Sequence, residues 1–130
     1  MTIEWRYRIE QDLGILSVAG HLGPDAAHCF GGAIGWVLAR GTGPVVLDCT
    51  ALRGWSAEGQ LAITEAARRL ADSGRSLELA AIPADGSLVP TGDGPYIPVH
   101  CDLNGALAAH EIGDAAAKAI QEWRTEGWPG

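Results

Sequence analysis

The chain has 130 residues and a mass of 13.6 kDa, enough for one domain with a core of its own. Hydrophobic residues at 47%, charged residues at 19% and a mean hydropathy of +0.07 exclude a disordered chain, and no apolar run approaches the roughly 20 residues of a membrane span. A net charge of −7 with nine scattered Lys and Arg argues against nucleic acid as a partner.

Residues 3–10 alternate Ile3, Trp5, Tyr7 and Ile9 with Glu4, Arg6, Arg8 and Glu10. Strict period two predicts a half-buried strand. Asp12-Leu13-Gly14 turns the chain, and Ile15–Ala19 is the expected hairpin partner. Gly20 to Pro24 reads as a loop that ends where Pro24 or Asp25 can open a helix. Ala27, Phe30, Ile34, Val37 and Leu38 then form one apolar stripe, stopped after Arg40 by Gly41 and Gly43.

Pro44–Cys49 is a short apolar run suited to a buried central strand. A second helix is predicted from Ala57 to Ser73, with Gly59, Ile63, Ala66 and Leu70 inward and Glu65 facing Arg68 and Arg69. Ser76–Ile82 is a further strand. Pro83–Pro95, with its glycines and prolines, is a loop. Tyr96–Cys101 makes a short last strand, and Asp102 caps a helical pattern extending to Trp123, weakened at Gly105 and Gly113. Trp5 and Trp36 fall on predicted core faces, and Trp55 lies in a glycine-flanked loop. The order β-β-α-β-α-β-β-α predicts an α/β domain, a mixed four- to five-stranded sheet with helices packed on it.

The opening Met1-Thr2-Ile3-Glu4-Trp5-Arg6 interleaves charges and lacks the basic start and apolar stretch of a secretory signal. Cys29, Cys49 and Cys101 are odd in number and show no C-x-x-C, so they read as free, mostly buried thiols. Cytoplasm is the expected compartment.

Four strings in this order resemble the STAS family, the domain of sulphate transporters and anti-sigma factor antagonists. Gly20-His21-Leu22-Gly23 is similar to the family's Gly-Glu-Leu-Asp after the second strand. Pro44-Val45-Val46-Leu47-Asp48-Cys49-Thr50-Ala51-Leu52 is similar to its Val-Val-Leu-Asp-Leu-Ser-x-Val. Ser56-Ala57-Glu58-Gly59 stands where members place Asp-Ser-Ser/Thr-Gly at the start of the second helix. Ile97-Pro98-Val99 with Asp102 and Ala106-Leu107 resembles the last strand and helix. The resemblance spans about residues 3–110 of a single domain 1–130, leaving 111–128 as a carboxy-terminal helical extension.

In the antagonist branch, the resemblance implies phosphorylation of the hydroxyl residue after the Asp by a partner kinase that is also the anti-sigma factor. Here Ala57 occupies that position and cannot accept a phosphoryl group. Ser56 replaces the Asp, Gly23 replaces the Asp of the earlier motif, and Glu58 replaces the second hydroxyl. Ser56 is the less favoured substitute acceptor, because in-line transfer needs aligned atoms within about 3–3.5 Å. As a helix N-cap it would contribute about 0.5–2 kcal/mol, the preferred reading. Glu58 is a built-in substitute for phosphate or, preferred, an acid stabilising the first turn by about 0.3–1 kcal/mol. The family's short helix after the fourth strand is also replaced, by the Pro83–Pro95 loop.

Other chemistries are weaker. His28-Cys29 and His100-Cys101 are adjacent pairs that each offer one ligand at most, so no metal and no cofactor are expected. There is no G-x-S-x-G, and the Gly pairs lack the strand-to-helix context of phosphate cradles, so no catalytic residue is expected. The chain is expected to be a non-enzymatic interaction domain similar to an anti-sigma factor antagonist, without the phosphorylation switch. Its partner would be a protein of the anti-sigma factor or serine-kinase kind, met by Gly23, Asp25, Arg53, Trp55, Ser56, Ala57, Glu58 and Gly59. The alternatives are a small-ligand or minor enzymatic role in a pocket between the 20s loop and Trp55, or a subunit of a STAS assembly, a homodimer included. Neither nucleic acid nor membrane is an expected partner.

Overall fold

Period two at the amino terminus becomes β1 (Ile3–Glu10), with Ile3 and Tyr7 buried and Trp5 and Ile9 packed against the same core. The computed structural model describes residues 3–10, 12–82, 97–110 and 121–125. β1 pairs antiparallel with β2 (Leu13–Leu22), which is longer than predicted. Gly20–Leu22 continue the strand past a register shift between Gly20 and His21, where a loop was expected.

α1 (Pro24–Leu38) opens with Pro24 in its first turn and buries Ala26, Phe30, Ala33, Ile34 and Val37. Trp36 is not on that face. It is 37% exposed, tilted against Trp5 at 6.0 Å, with the Arg40 guanidinium 3.6 Å from its ring centroid. β3 (Val45–Asp48) follows as the buried central strand. β4 (Leu52–Trp55) replaces the predicted loop at Trp55.

α2 (Ala57–Asp72) buries Gly59, Ile63, Ala66, Ala67 and Leu70, one more residue than the predicted stripe. Arg68 pairs with Glu65 at 2.7 Å, but Arg69 donates instead to the Gly31 carbonyl of α1 at 3.2 Å. The helix ends in a Schellman turn, Gly74 N–H to Ala71 O at 3.0 Å and Arg75 N–H to Leu70 O at 2.8 Å, with Gly74 at φ 76°. β5 (Leu77–Ala80), the two-residue β6 (Val99–His100) and α3 (Leu103–Ala109) complete the central part. Asp102 caps α3 as expected, accepting from Gly105 N–H at 2.7 Å.

The predicted helix does not reach Trp123. Gln121–Arg124 is β7, antiparallel to β1, and the Trp123 ring stacks on Tyr7 at 5.7 Å. Pairing with a free sheet edge and burial of an aromatic ring outweigh the helical periodicity there. The Pro83–Pro95 loop, Tyr96, residues 111–120 and Trp128 lie outside the described residues.

One sheet contains all seven described strands, in the order β6-β5-β3-β2-β1-β7, with β4 paired to the far half of β2. β2, β3, β4, β5 and β6 pair in parallel and β1 pairs antiparallel with both β2 and β7, so the sheet is mixed as expected but larger by β4 and β7. Leu16, Val18, Val45, Leu47, Leu77 and Leu79 face α1 and α2 in the main core. Leu13, Ile15, Val46 and Ala80 face the opposite way, against Ala106, Leu103 and Leu107 of α3. Among the described residues no helix is long and apolar enough to cross a membrane.

Candidate functional site

The site begins with a buried carboxylate. Asp48, at the end of β3, accepts from Ser17 Oγ at 3.0 Å, Thr50 N–H at 3.1 Å and Thr50 Oγ1 at 2.5 Å. Those bonds satisfy a charge that burial would otherwise penalise, and they fix the turn leaving β3. Leu52 N–H to Cys49 O and Gly20 N–H to Ala51 O then lay β4 along the second half of β2. The Asp of the Val-Val-Leu-Asp string thus aims the strand that delivers Ser56.

β2 and β4 run in parallel and end together, Leu22 opposite Trp55. Each is followed within two residues by a helix, so the amino ends of α1 and α2 lie side by side at one sheet edge. Ser56 N–H donates to Leu22 O at 2.9 Å, tying the second start to the first. Gly59 makes this approach feasible: a Cβ there would lie 2.1 Å from Leu22 O and 3.0 Å from Trp55 Cβ.

The structure brings together all eight residues singled out in the sequence. Gly23 is the N-cap of α1, contributing no side-chain cap, and its carbonyl accepts from Ala26 and Ala27 N–H at 3.1 Å each. Asp25 is exposed in the first turn of α1. Arg53 is exposed on β4, whereas Trp55 is half-buried against the main core. Ser56 is the N-cap of α2, its Oγ accepting from Gly59 N–H at 3.2 Å. Ala57 and Glu58 are exposed in the following turn. Acids in the first turns of both helices meet the positive ends of the two helix dipoles.

Two features at this corner went unread in the sequence. The His21 ring sits between the glycines of the two segments, with Nδ1 3.5 Å from a Cβ at Gly54 and Cδ2 3.2 Å from one at Gly23. An open groove of about 270 Å³ runs along the outer face of α2, lined by Ala57, Gln60, Leu61 and Thr64. Leu61 is 67% exposed. The spacing i, i+3, i+4, i+7 was legible as a second helical face, but the stronger inward stripe masked it.

The thiols stand apart from this corner in chemistry. Cys49 is buried, and burial, with Asp48 adding to it, pushes its thiol up to about 12, so it is protonated at neutral pH and a poor nucleophile. Burial and then Glu4 raise the half-buried Cys29 thiol. Cys101 is exposed, contrary to the expectation of a mostly buried set. Among the described residues no group of three or more His, Cys, Asp or Glu is placed to hold a metal ion.

A family model described as "Mlab, STAS domain" matches residues 5–87. No curated protein matches the chain. Among solved structures, a Thermotoga maritima protein described as a candidate anti-sigma factor antagonist superposes with a TM-score of 0.66 at 18% identity, covering 82% of this chain and 92% of its own. A protein described as Mglu superposes with a TM-score of 0.50 at 23% identity, covering 56% of this chain and 18% of its own. At such identities the structures speak for the fold. With the family model spanning more than half of the sequence, the chain belongs to the STAS family.

Proposed function

We propose that the protein is a non-enzymatic interaction domain that grips a protein partner through the paired amino ends of α1 and α2. The partner surface would comprise Asp25, Arg53, Trp55, Ser56, Ala57 and Glu58, extended by the groove at Gln60, Leu61 and Thr64, with Gly23 and Gly59 buried beneath it as the close-packed support. One observation carries this reading: Ala57 is exposed at the first helical position of α2, beside Glu58, on a corner held rigid by Ser56 and Leu22. A rigid, exposed helix start flanked by charge and an open apolar groove suits macromolecular docking better than enclosure of a small ligand.

The partner is of the anti-sigma factor or serine-kinase kind, as the likeness to an antagonist suggests. Docking would be constitutive with respect to this position. Ala57 offers no oxygen, and the Ser56 hydroxyl is already engaged in capping. Affinity capture from the native cell extract, with wild type and Glu58→Arg side by side, tests the surface. A partner retained by wild type and lost by the variant supports it, and equal retention sinks it. Incubation with that partner and radiolabelled ATP tests the missing switch, where label on Ser56 would overturn it.

A further inference from the structure

Three of the five tryptophans converge on one flank of the molecule, where β7 closes the sheet. Trp5 and Trp36 meet at 6.0 Å between ring centroids, and Trp123 stacks on Tyr7 at 5.7 Å. Arg40 bridges the two pairs, its guanidinium 3.6 Å from the Trp36 centroid and 5.3 Å from that of Trp123. Trp36 is exposed there, and Trp5, Arg40 and Trp123 are half-buried. Tryptophan and arginine gathered at an open margin have the composition of interface anchors.

β7 runs beside them. Among the described residues it has β1 on one side and no strand on the other. The Thr125 N–H bond to Trp5 O, at 2.9 Å, fixes the phase of its ladder. Backbone groups alternate in direction along an antiparallel strand. Those of Gln121 and Trp123 therefore turn to β1, and those of Glu122 and Arg124 turn outward. An outward row of donors and acceptors is a template for a further strand. We infer that this further strand is β7 of a second copy, so that the protein forms a two-fold dimer through this edge.

Charge selects that occupant and its register. A two-fold axis normal to the sheet sets the edges antiparallel, with residues of one face opposite each other. Centring on either end residue of β7 overlaps that residue alone. Centring on Glu122 sets the acids of the two copies against each other, which is destabilising. Centring on Trp123 sets Glu122 opposite Arg124 of the partner subunit on both sides of the axis. These are the residues with outward backbone groups, so each pair exchanges both of its ladder bonds. Within one copy Arg124 stands opposite Arg6, a like-charge juxtaposition that an acid from the outer side offsets. The two Trp123 rings then form an aromatic cross-strand pair, flanked by Trp36 and Arg40 of each copy.

Sedimentation velocity on the full chain, from about 1 μM to about 100 μM, tests this. At the upper end the wild type should sediment with twice the 13.6 kDa of the single chain. Glu122→Arg and Arg124→Glu should each raise the dissociation constant about tenfold or more, because each sets like charges opposite one another on both sides of the axis. Mixed together, the two variants should dimerise again, since every facing pair is then opposite in sign. Detachment of β7 from β1 would not be repaired by mixing. If Glu122→Arg does not fold, Arg124→Glu decides alone, because its new acid faces Arg6 and keeps β7 on its own sheet. A wild type that is monomeric at about 100 μM, a dimer that Arg124→Glu leaves unweakened, or a mixture that stays monomeric would overturn the proposal. None of these results bears on docking at the amino end of α2.

Discussion

The two ends of the long helices are built to opposite rules. At the carboxy end of α1, Arg75 is 5% exposed and donates to Gly43 O at 2.7 Å, Val37 O at 2.8 Å, Arg40 O at 3.2 Å and Tyr7 Oη at 3.3 Å. A guanidinium there meets the negative end of the helix dipole and closes carbonyls that the last turn leaves open. The Schellman turn after α2 places Arg75 for the task. At the amino ends, the caps are a glycine backbone and one serine hydroxyl, and Pro24, Asp25, Ala57 and Glu58 all face water. Buried polar bonding is concentrated where the fold is locked, and the opposite end is left accessible. Substitutions at the two ends should therefore separate stability from docking.

The largest stability loss is expected at the closed end. Arg75→Met fills similar volume but takes the donor from the Gly43 carbonyl in the interior, at about 1–3 kcal/mol, while the Val37 carbonyl keeps the Arg40 N–H at 3.1 Å and the Arg40 carbonyl keeps the Tyr7 hydroxyl at 2.9 Å. Urea unfolding should show a loss of about 2–3 kcal/mol, with Arg75→Lys recovering only part because it lacks the planar fork. The surviving folded fraction should still capture the partner. Equal stability of the methionine variant would mean that Arg75 does not lock the helix end.

Gly59→Ala comes next, at the seam between the ends. Its methyl would collide with the Leu22 carbonyl, so α2 must shift away from β2. The expected cost is about 1–3 kcal/mol, the range for overpacking. This variant should lose partner capture as well, since Ser56 and Ala57 move with the helix. Loss of stability with capture intact would show that the partner does not read this corner.

Ser56→Ala removes the one side-chain cap of α2 and should cost about 1 kcal/mol by thermal or urea unfolding. Ser56→Asp, an equally good cap, should restore that stability. An effect under a few tenths of a kcal/mol would mean that the Oγ bond to Gly59 is not formed in solution.

How far the sequence could be read follows the same division by range. β1, α1, β3, α2 and β5 announce themselves through periodicity, because each buries one face and the pattern is local. The Ser56 cap was legible too, since its bond reaches only three residues ahead. β4 was not, because Arg53-Gly54-Trp55 carries no alternation and becomes a strand by pairing with the extended end of β2. β7 depends on β1 across the whole length of the chain, and its helix-like spacing of apolar residues pointed the other way. The buried Arg75 looks in sequence like any surface arginine. Glu78 meets His100 and His110 from 22 and 32 residues away, beyond any motif's reach.

Glu58→Arg should have the smallest effect on stability and the largest on docking. Glu58 is exposed in the first turn of α2, so exchanging its charge costs only its favourable interaction with the helix dipole, about 1 kcal/mol or less. That contribution is screened, and its loss should shrink further as salt is added. A partner surface that has adapted to an acid beside Ala57 would meet a cation of nearly opposite field, and like-charge contact across an interface suppresses association strongly. Titration by calorimetry should then show docking weakened by tenfold or more, on the order of 1.4 kcal/mol, while the unfolding curve barely moves. Arg53→Glu, on the neighbouring strand, reverses the exposed positive charge that the corner carries on β4 and provides the matching arm. If both variants bind as wild type does, the open ends of the helices are solvated surface and the division between the two ends is one of stability alone.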